Sequence, residues 1–295
     1  MEKTKLSINT GLKLVVWGIP LGLLLRFVHL NFFFDFDTGF YTDGGVTAWL
    51  SLLLPAALGI AGAVCFYRNA GAFTARDRGA ARGAGGFAGF SGGVLLVVGL
   101  FMLKGCADYR AAGVREFETV VNPGLHIFTA VMCIIAALLQ SAAAMGLCMG
   151  RDFFKKVPLL YLPVVLWGMA ELVTVYVFYA KFPSAAENLF SVGSAALMLL
   201  ALFYLCQALS GAGEERALRR LFVFGGLTAV VEIPYDLSNI AMMMLGRSYF
   251  GELPAVYALG RLSVGMFLLA FMLSAYRTGV NKQMDGVPAK ARHRG

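Results

Sequence analysis

The chain of 295 residues carries 25 lysines and arginines against 17 aspartates and glutamates, a formal net charge of +8, and 59% of it is hydrophobic. So apolar a composition excludes an ordinary soluble globular domain and points to an all-α polytopic membrane protein, a bundle of helices crossing the bilayer. The basic surplus would suggest a nucleic-acid partner for a soluble chain, so the placement of the charges has to decide.

Apolar runs of about 18 to 25 residues predict eight spans, at 11–30, 46–67, 86–103, 124–147, 157–180, 189–209, 221–245 and 254–276. With a cytoplasmic amino terminus, 18 lysines and arginines fall in inner segments and 5 in outer loops. The excess on one side is the signature of orientation, so the charge surplus is read as topology, with both termini cytoplasmic in the plasma membrane and no nucleic-acid partner. Residues 1–276 form the expected bundle and 277–295 a basic cytoplasmic tail.

The first apolar run is long, contains Arg26 and lacks a small-residue cleavage site, so it reads as a span and not as a signal peptide. It passes Pro20, Arg26 and His29 and leaves the membrane through a run of interleaved aromatics and acids from Asn31 to Tyr41, suited to the water–lipid boundary. Asp37-Thr38-Gly39 within that run is the expected turn. It matches one DTG of the aspartic proteases, but their chemistry needs a second aspartate and no second DTG exists. The pattern Asp35-x-x-Thr38-Gly39-Phe40-Tyr41 after a span carrying Arg26 resembles that of uncharacterised multi-pass membrane proteins from clostridia-type Gram-positive bacteria. This resemblance implies a bacterial envelope address and no particular chemistry.

Further along, Gly85, Gly89 and Gly93 form a small-xxx-small row suited to close helix packing. Gly89-Phe90-Ser91-Gly92 matches the GxSG of rhomboid-type proteases, which need a histidine beside the serine; His126 is expected at the opposite membrane face, so packing is the better reading. The outer segment from Lys104 to Pro123 could include a short surface helix. Glu214-Glu215-Arg216-Ala217-Leu218-Arg219 matches the EExxxR of CAAX-protease-like enzymes, but no histidine lies between His126 and His293, and pairing of Glu215 with Arg219 suffices. The five cysteines have no zinc-like spacing, and there is no P-loop, HExxH or GxGxxG following a strand, so no cofactor or metal is expected. Val15-Val16-Trp17-Gly18 is echoed by Val165-Leu166-Trp167-Gly168, which raises two four-helix halves, 1–150 and 151–276.

The candidate site centres on the seventh span. Glu232, Asp236 and Asn239 fall at i, i+4 and i+7, on one helical face, and Pro234 between them deprives the Val230 carbonyl of its partner. Arg26, Glu171 and Arg261 are also charges inside spans, and each such charge costs roughly 2.5 to 3.5 kcal/mol near the bilayer centre unless paired or hydrated. Their distances from the span ends predict one polar pocket, open outward, built from spans one, five, seven and eight. Two arginines against three carboxylates leave one acid over, to hold a proton or face a bound cation; Glu232, the deepest, is the candidate. The leading expectation is binding or transport of a small polar or ionic solute, linked to protons or cations. The alternatives are a structural or partner-binding subunit whose charges only pair internally, and a membrane enzyme acting on lipid or peptide.

Overall fold

A computed structural model describes residues 7–69, 73, 82–112, 123–151, 153–179, 185–212, 214–247 and 253–277. Nine α-helices occur among them: α1 (Ile8–Phe32), α2 (Val46–Arg68), α3 (Arg82–Ala112), α4 (Pro123–Met149), the single turn α5 (Phe153–Lys156), α6 (Leu162–Thr174), α7 (Ala185–Ser210), α8 (Glu214–Met244) and α9 (Ala255–Ala275). Eight helical segments are long and apolar enough to cross a membrane, and no β-strand occurs among the described residues, so the chain is a polytopic helical bundle.

The described contacts make sequential neighbours antiparallel. Gly11 of α1 meets Cys65 and Phe66 of α2, while Gly22, further along α1, meets Pro55. The α1–α2 hairpin packs on α8, and the α3–α4 hairpin packs on α9 and α6. Helix α8 touches α1, α2, α7 and α9, and its membrane-crossing window is 78% buried against 33% for α1, which makes it the central helix. It is also the least apolar of the eight. A central helix has no lipid to satisfy, so it can carry the polar side chains that a lipid-facing helix could not.

Backbone approach sets where helices meet. A methyl group on Gly22 would lie 3.0 Å from both Pro55 and Pro234, so a glycine lets α1 settle closely between the two proline rings. Between α3 and α4 the close row differs from the expected one. Methyl groups on Gly85, Gly92 and Gly99 would lie 3.0 to 3.2 Å from the carbonyls of Ala144, Ala137 and Ala130, whereas Gly93 faces open space. The contact repeats every seven residues, as in a left-handed helix pair, and the spacing of four drifts off that seam.

Boundaries differ where prolines and charge patterns misled the expectation. Span five opens with a 3-10 turn, Pro158–Tyr161, because Pro158 and Pro163 have no N–H to give, and it closes in a π-helical stretch, Val175–Tyr179. Helix α3 continues to Ala112, well past residue 103, so the near part of the expected outer segment belongs to the same helix; residues 113–122 lie outside the described residues. Helix α7 starts at Ala185, which moves Glu187 from the expected loop into the bundle. Arg277 is exposed, and the tail beyond it lies outside the described residues.

Candidate functional site: a buried charge seam along α7 and α8

On α7, Glu187, Ser191 and Ser194 are spaced i, i+4 and i+7; on α8, Glu232, Asp236 and Asn239 repeat that spacing. The two helices pack together, so their polar faces meet in one seam, and each end of it holds an arginine from another helix.

The first end gathers around Arg26 of α1. Its Nη1 donates to Glu187 Oε1 at 2.5 Å and its Nη2 to Glu187 Oε2 at 2.6 Å, a two-pronged contact, while Nη2 also reaches Asn239 Oδ1 at 3.3 Å. The guanidinium carbon lies 4.9 Å from the Phe190 ring centre and 5.1 Å from that of Tyr235. Charge, fork geometry and ring faces together satisfy a group that is otherwise expensive to bury.

The second end gathers around Arg261 of α9. Its Nη2 donates to Ser194 Oγ, its Nη1 to the Ser191 carbonyl at 3.4 Å, and its Nε stands 3.5 Å from Asp236 Oδ2. Glu232 and Glu171 also lie within electrostatic range of this guanidinium. All four charged side chains are at most 2% exposed. Both carboxyl oxygens of Glu232, both of Asp236, and Oε1 of Glu171 accept no hydrogen bond. Buried oxygens are nearly always satisfied, so five carboxyl oxygens without a hydrogen bond around one arginine make this an unusual place among the described residues. Tyr235 feels the charges of Arg26, Glu187, Asp236 and Arg261, which puts it at the junction of the two ends.

All six residues expected from sequence therefore lie on this seam, but in two groups: Arg26 with Asn239, and Glu171, Glu232 and Asp236 with Arg261. Among the described residues the expected outward opening does not appear, because these side chains are enclosed by neighbouring helices. The expected charge balance also changes. Glu187 is a fourth buried carboxylate and takes Arg26, so Arg261 faces three acids and two negative charges are in surplus. Sequence reasoning missed Glu187 because it precedes the apolar run. Its spacing of four and seven from Ser191 and Ser194 was the signal that could have found it.

Above the first end, on the face of the bundle opposite Ile8 of α1 and Ala275 of α9, residues 33–45 fold back as a cap. Asp35 organises its turn: Oδ1 accepts from Asp37 N at 3.0 Å, Oδ2 from Thr38 Oγ1 at 2.6 Å, and Gly39 takes a positive φ of 72°. Those bonds hold the Asp35 carboxyl below the usual range, the Thr38 hydroxyl contributing most. Phe34 pairs with Tyr41 across the turn, and both rings meet His29 edge-on. Burial pushes the Tyr41 phenol up.

The remaining motifs have ordinary partners. Ser91 accepts from Ser263 Oγ at 3.3 Å, and His126 contacts the Tyr257 hydroxyl at 2.9 Å, so no serine–histidine pair forms between them. Arg219 lies over the Tyr67 ring at 4.9 Å, while the side chains of Glu214 and Glu215 lie outside the described residues. No three histidine, cysteine or acidic side chains among the described residues converge as a metal ion requires.

Fold and site thus define a class: a multi-pass helical membrane protein with a buried, acid-rich charge centre. Compared with known proteins, the chain matches no family model, no curated protein and no solved structure.

Proposed function

We propose that this chain is a proton-linked binding or transport protein for a small polar or ionic solute, with the Arg261 centre as the coupling site. The observation that carries the reading is three enclosed carboxyls, Glu171, Glu232 and Asp236, around one arginine, with five oxygens lacking any hydrogen bond. Scaffolding alone favours matched pairs, since each unmatched ion in low dielectric is costly. Acids in excess hold protons, and protons that bind reversibly let a solute's charge be exchanged for them. Arg261 is then the contact for an anionic group when an acid releases it, and the closed seam is one state of an alternating cycle.

The loops on the terminal side hold most of the lysines and arginines, which supports cytoplasmic termini in a plasma membrane. The cap with its Asp35-x-x-Thr38-Gly39-Phe40-Tyr41 run then faces outside, in keeping with the resemblance to bacterial envelope proteins.

A second reading has its own support at the other end of the seam. The Arg26–Glu187 fork is matched and well bonded, as expected of a pin that fixes α1 against α7. The enzyme reading finds less. His29 is fully enclosed and its Nε2 is 4.0 Å from Glu187 Oε1, so it faces no cleft that a lipid or peptide could enter.

The test is proton movement in proteoliposomes. Small amino acids and organic anions are added outside vesicles that contain a pH-sensitive dye. The expected result is a solute-dependent change of internal pH that Glu232→Gln abolishes; equal traces from wild type and variant would sink the proton role.

A further inference from the structure

A column of polar side chains leads from the cap down to the charge seam. Asp43 starts it, on the loop before α2, with part of its surface in water. Its Oδ2 accepts from the Thr47 hydroxyl at 2.6 Å and from Thr47 N at 2.8 Å, and its Oδ1 from Gly45 N at 2.9 Å. Burial alone would push the Asp43 carboxyl up, but these bonds together hold it below the usual range, so it stands as an ionised acceptor at neutral pH. Thr47 Oγ1 is in turn 2.8 Å from His29 Nδ1. The hydroxyl has one proton and gives it to Asp43, so the contact with His29 requires a hydrogen on Nδ1. The imidazole is thereby fixed with Nε2 as its acceptor. That nitrogen is fully buried, has no hydrogen bond, and is aimed at Glu187 Oε1 4.0 Å away.

Building on the proton-linked reading, we propose that Asp43, Thr47 and His29 form the proton port of the charge seam, connecting bulk water at the cap to Glu187 and the acids beyond it. The groups facing His29 fit that role from every side: Arg26 on its own helix, Glu187 from α7, Asp43 and Tyr41 from the cap, and Thr47 from α2. In the outward direction, a proton from the seam binds Nε2. The Nδ1 proton passes to Thr47 Oγ1 as the hydroxyl proton passes to Asp43, and Asp43 releases it to water. One proton leaves and the imidazole stays neutral, now with its hydrogen on Nε2. The inward direction is the reverse, Asp43 returning a proton to Thr47 Oγ1 as the hydroxyl returns one to Nδ1 and Nε2 gives its proton to the seam. A proton on Nε2 also gives Glu187 a second donor, which competes with Arg26 for it. Beyond Glu187, Arg26 Nη2 also donates to Asn239 Oδ1, and Tyr235 stands between the two ends of the seam, within electrostatic range of both Glu187 and Asp236.

Three features favour a port over a packing cluster. A packing histidine needs no hydrogen-bonded line to the surface, and a packing threonine needs no ionised acid at its end. A buried nitrogen left without a partner is a cost that structure alone does not call for.

The probe is deuterium oxide. Full-length protein in lipid nanodiscs is switched from water to deuterium oxide, and the isotope shift of the carboxylic acid C=O infrared band is followed in time. Thr47→Val keeps the shape and removes the hydroxyl, while His29→Gln removes the relay ring. Each variant is expected to slow the band's exchange by about tenfold or more with backbone amide exchange unchanged. Exchange as fast as wild type in Thr47→Val overturns the port and leaves the proton-linked reading standing, even if His29→Gln fails to fold. A wild type with no acid band removes that reading itself, and the port with it.

Discussion

Single residues here have sharply different partners, and so different expected costs. Glu187→Gln leaves the Arg26 guanidinium enclosed with half of its fork unmatched, and breaking a buried pair in this way costs about 3 to 5 kcal/mol. Replacing both members, as Arg26→Met with Glu187→Leu, removes the buried charge together with its partner. Thermal melts in detergent should show the double variant closer to wild type than Glu187→Gln, a non-additivity diagnostic of a direct pair. Asp43 gives a dependence on pH. Its folded carboxyl is held below the ordinary value, so its support for the start of α2 is full at neutral pH. That support is lost as pH falls through the folded value. Protection factors at the Gly45 and Thr47 amides, with exchange corrected for its intrinsic dependence on pH, should fall on acidification in wild type and change less with pH in Asp43→Asn.

At the scale of elements, the α3–α4 seam makes a controlled comparison possible. Gly92→Leu or Gly99→Leu must push a side chain into a facing backbone carbonyl, and overpacking of this kind costs about 1 to 3 kcal/mol. Gly93→Leu, one residue away and facing open space, should leave the melting temperature unchanged. Sequence periodicity showed that α3 carries small residues on a packing face, but the period could not be read from glycines alone. Alanines at 130, 137 and 144 on the partner helix select spacing seven over spacing four, and that choice is a property of the pair. Proline behaved similarly. Pro234 was legible as an anomaly in a central helix, whereas its packing against Gly22 of α1 joins positions more than two hundred residues apart and has no local signal. The same reasoning explains Glu187, whose role follows from a face shared across helices and not from the apolar run used to draw the span.

For the whole molecule, length and hydropathy alone gave eight crossings, and the helices bear them out. Hydropathy is legible because the bilayer demands it of every span separately. The grouping of charges was legible only in part. Cost arguments say that buried charges find partners, and they do, but which arginine takes which acid depends on how α1, α6, α7, α8 and α9 pack, so one predicted centre became two joined ends. Orientation is open to direct measurement. In a cysteine-free background, Thr38→Cys in the cap is expected to react with a membrane-impermeant maleimide added to intact cells. Arg151→Cys, near the terminal face, is expected to react only after the cells are opened. The reverse pattern would invert the proposed topology and place the proton port in the cytoplasm.

Proton coupling depends on one quantity, the number of protons held by the three enclosed acids around Arg261. The direct measurement is the infrared absorbance of carboxylic acid groups in full-length protein at neutral pH, compared between wild type, Glu232→Gln, and Glu171→Gln. The account expects an acid band in wild type that falls in at least one of these variants. A wild-type spectrum with every carboxyl ionised would contradict it, because the surplus charge around Arg261 would then have to be balanced by something other than protons.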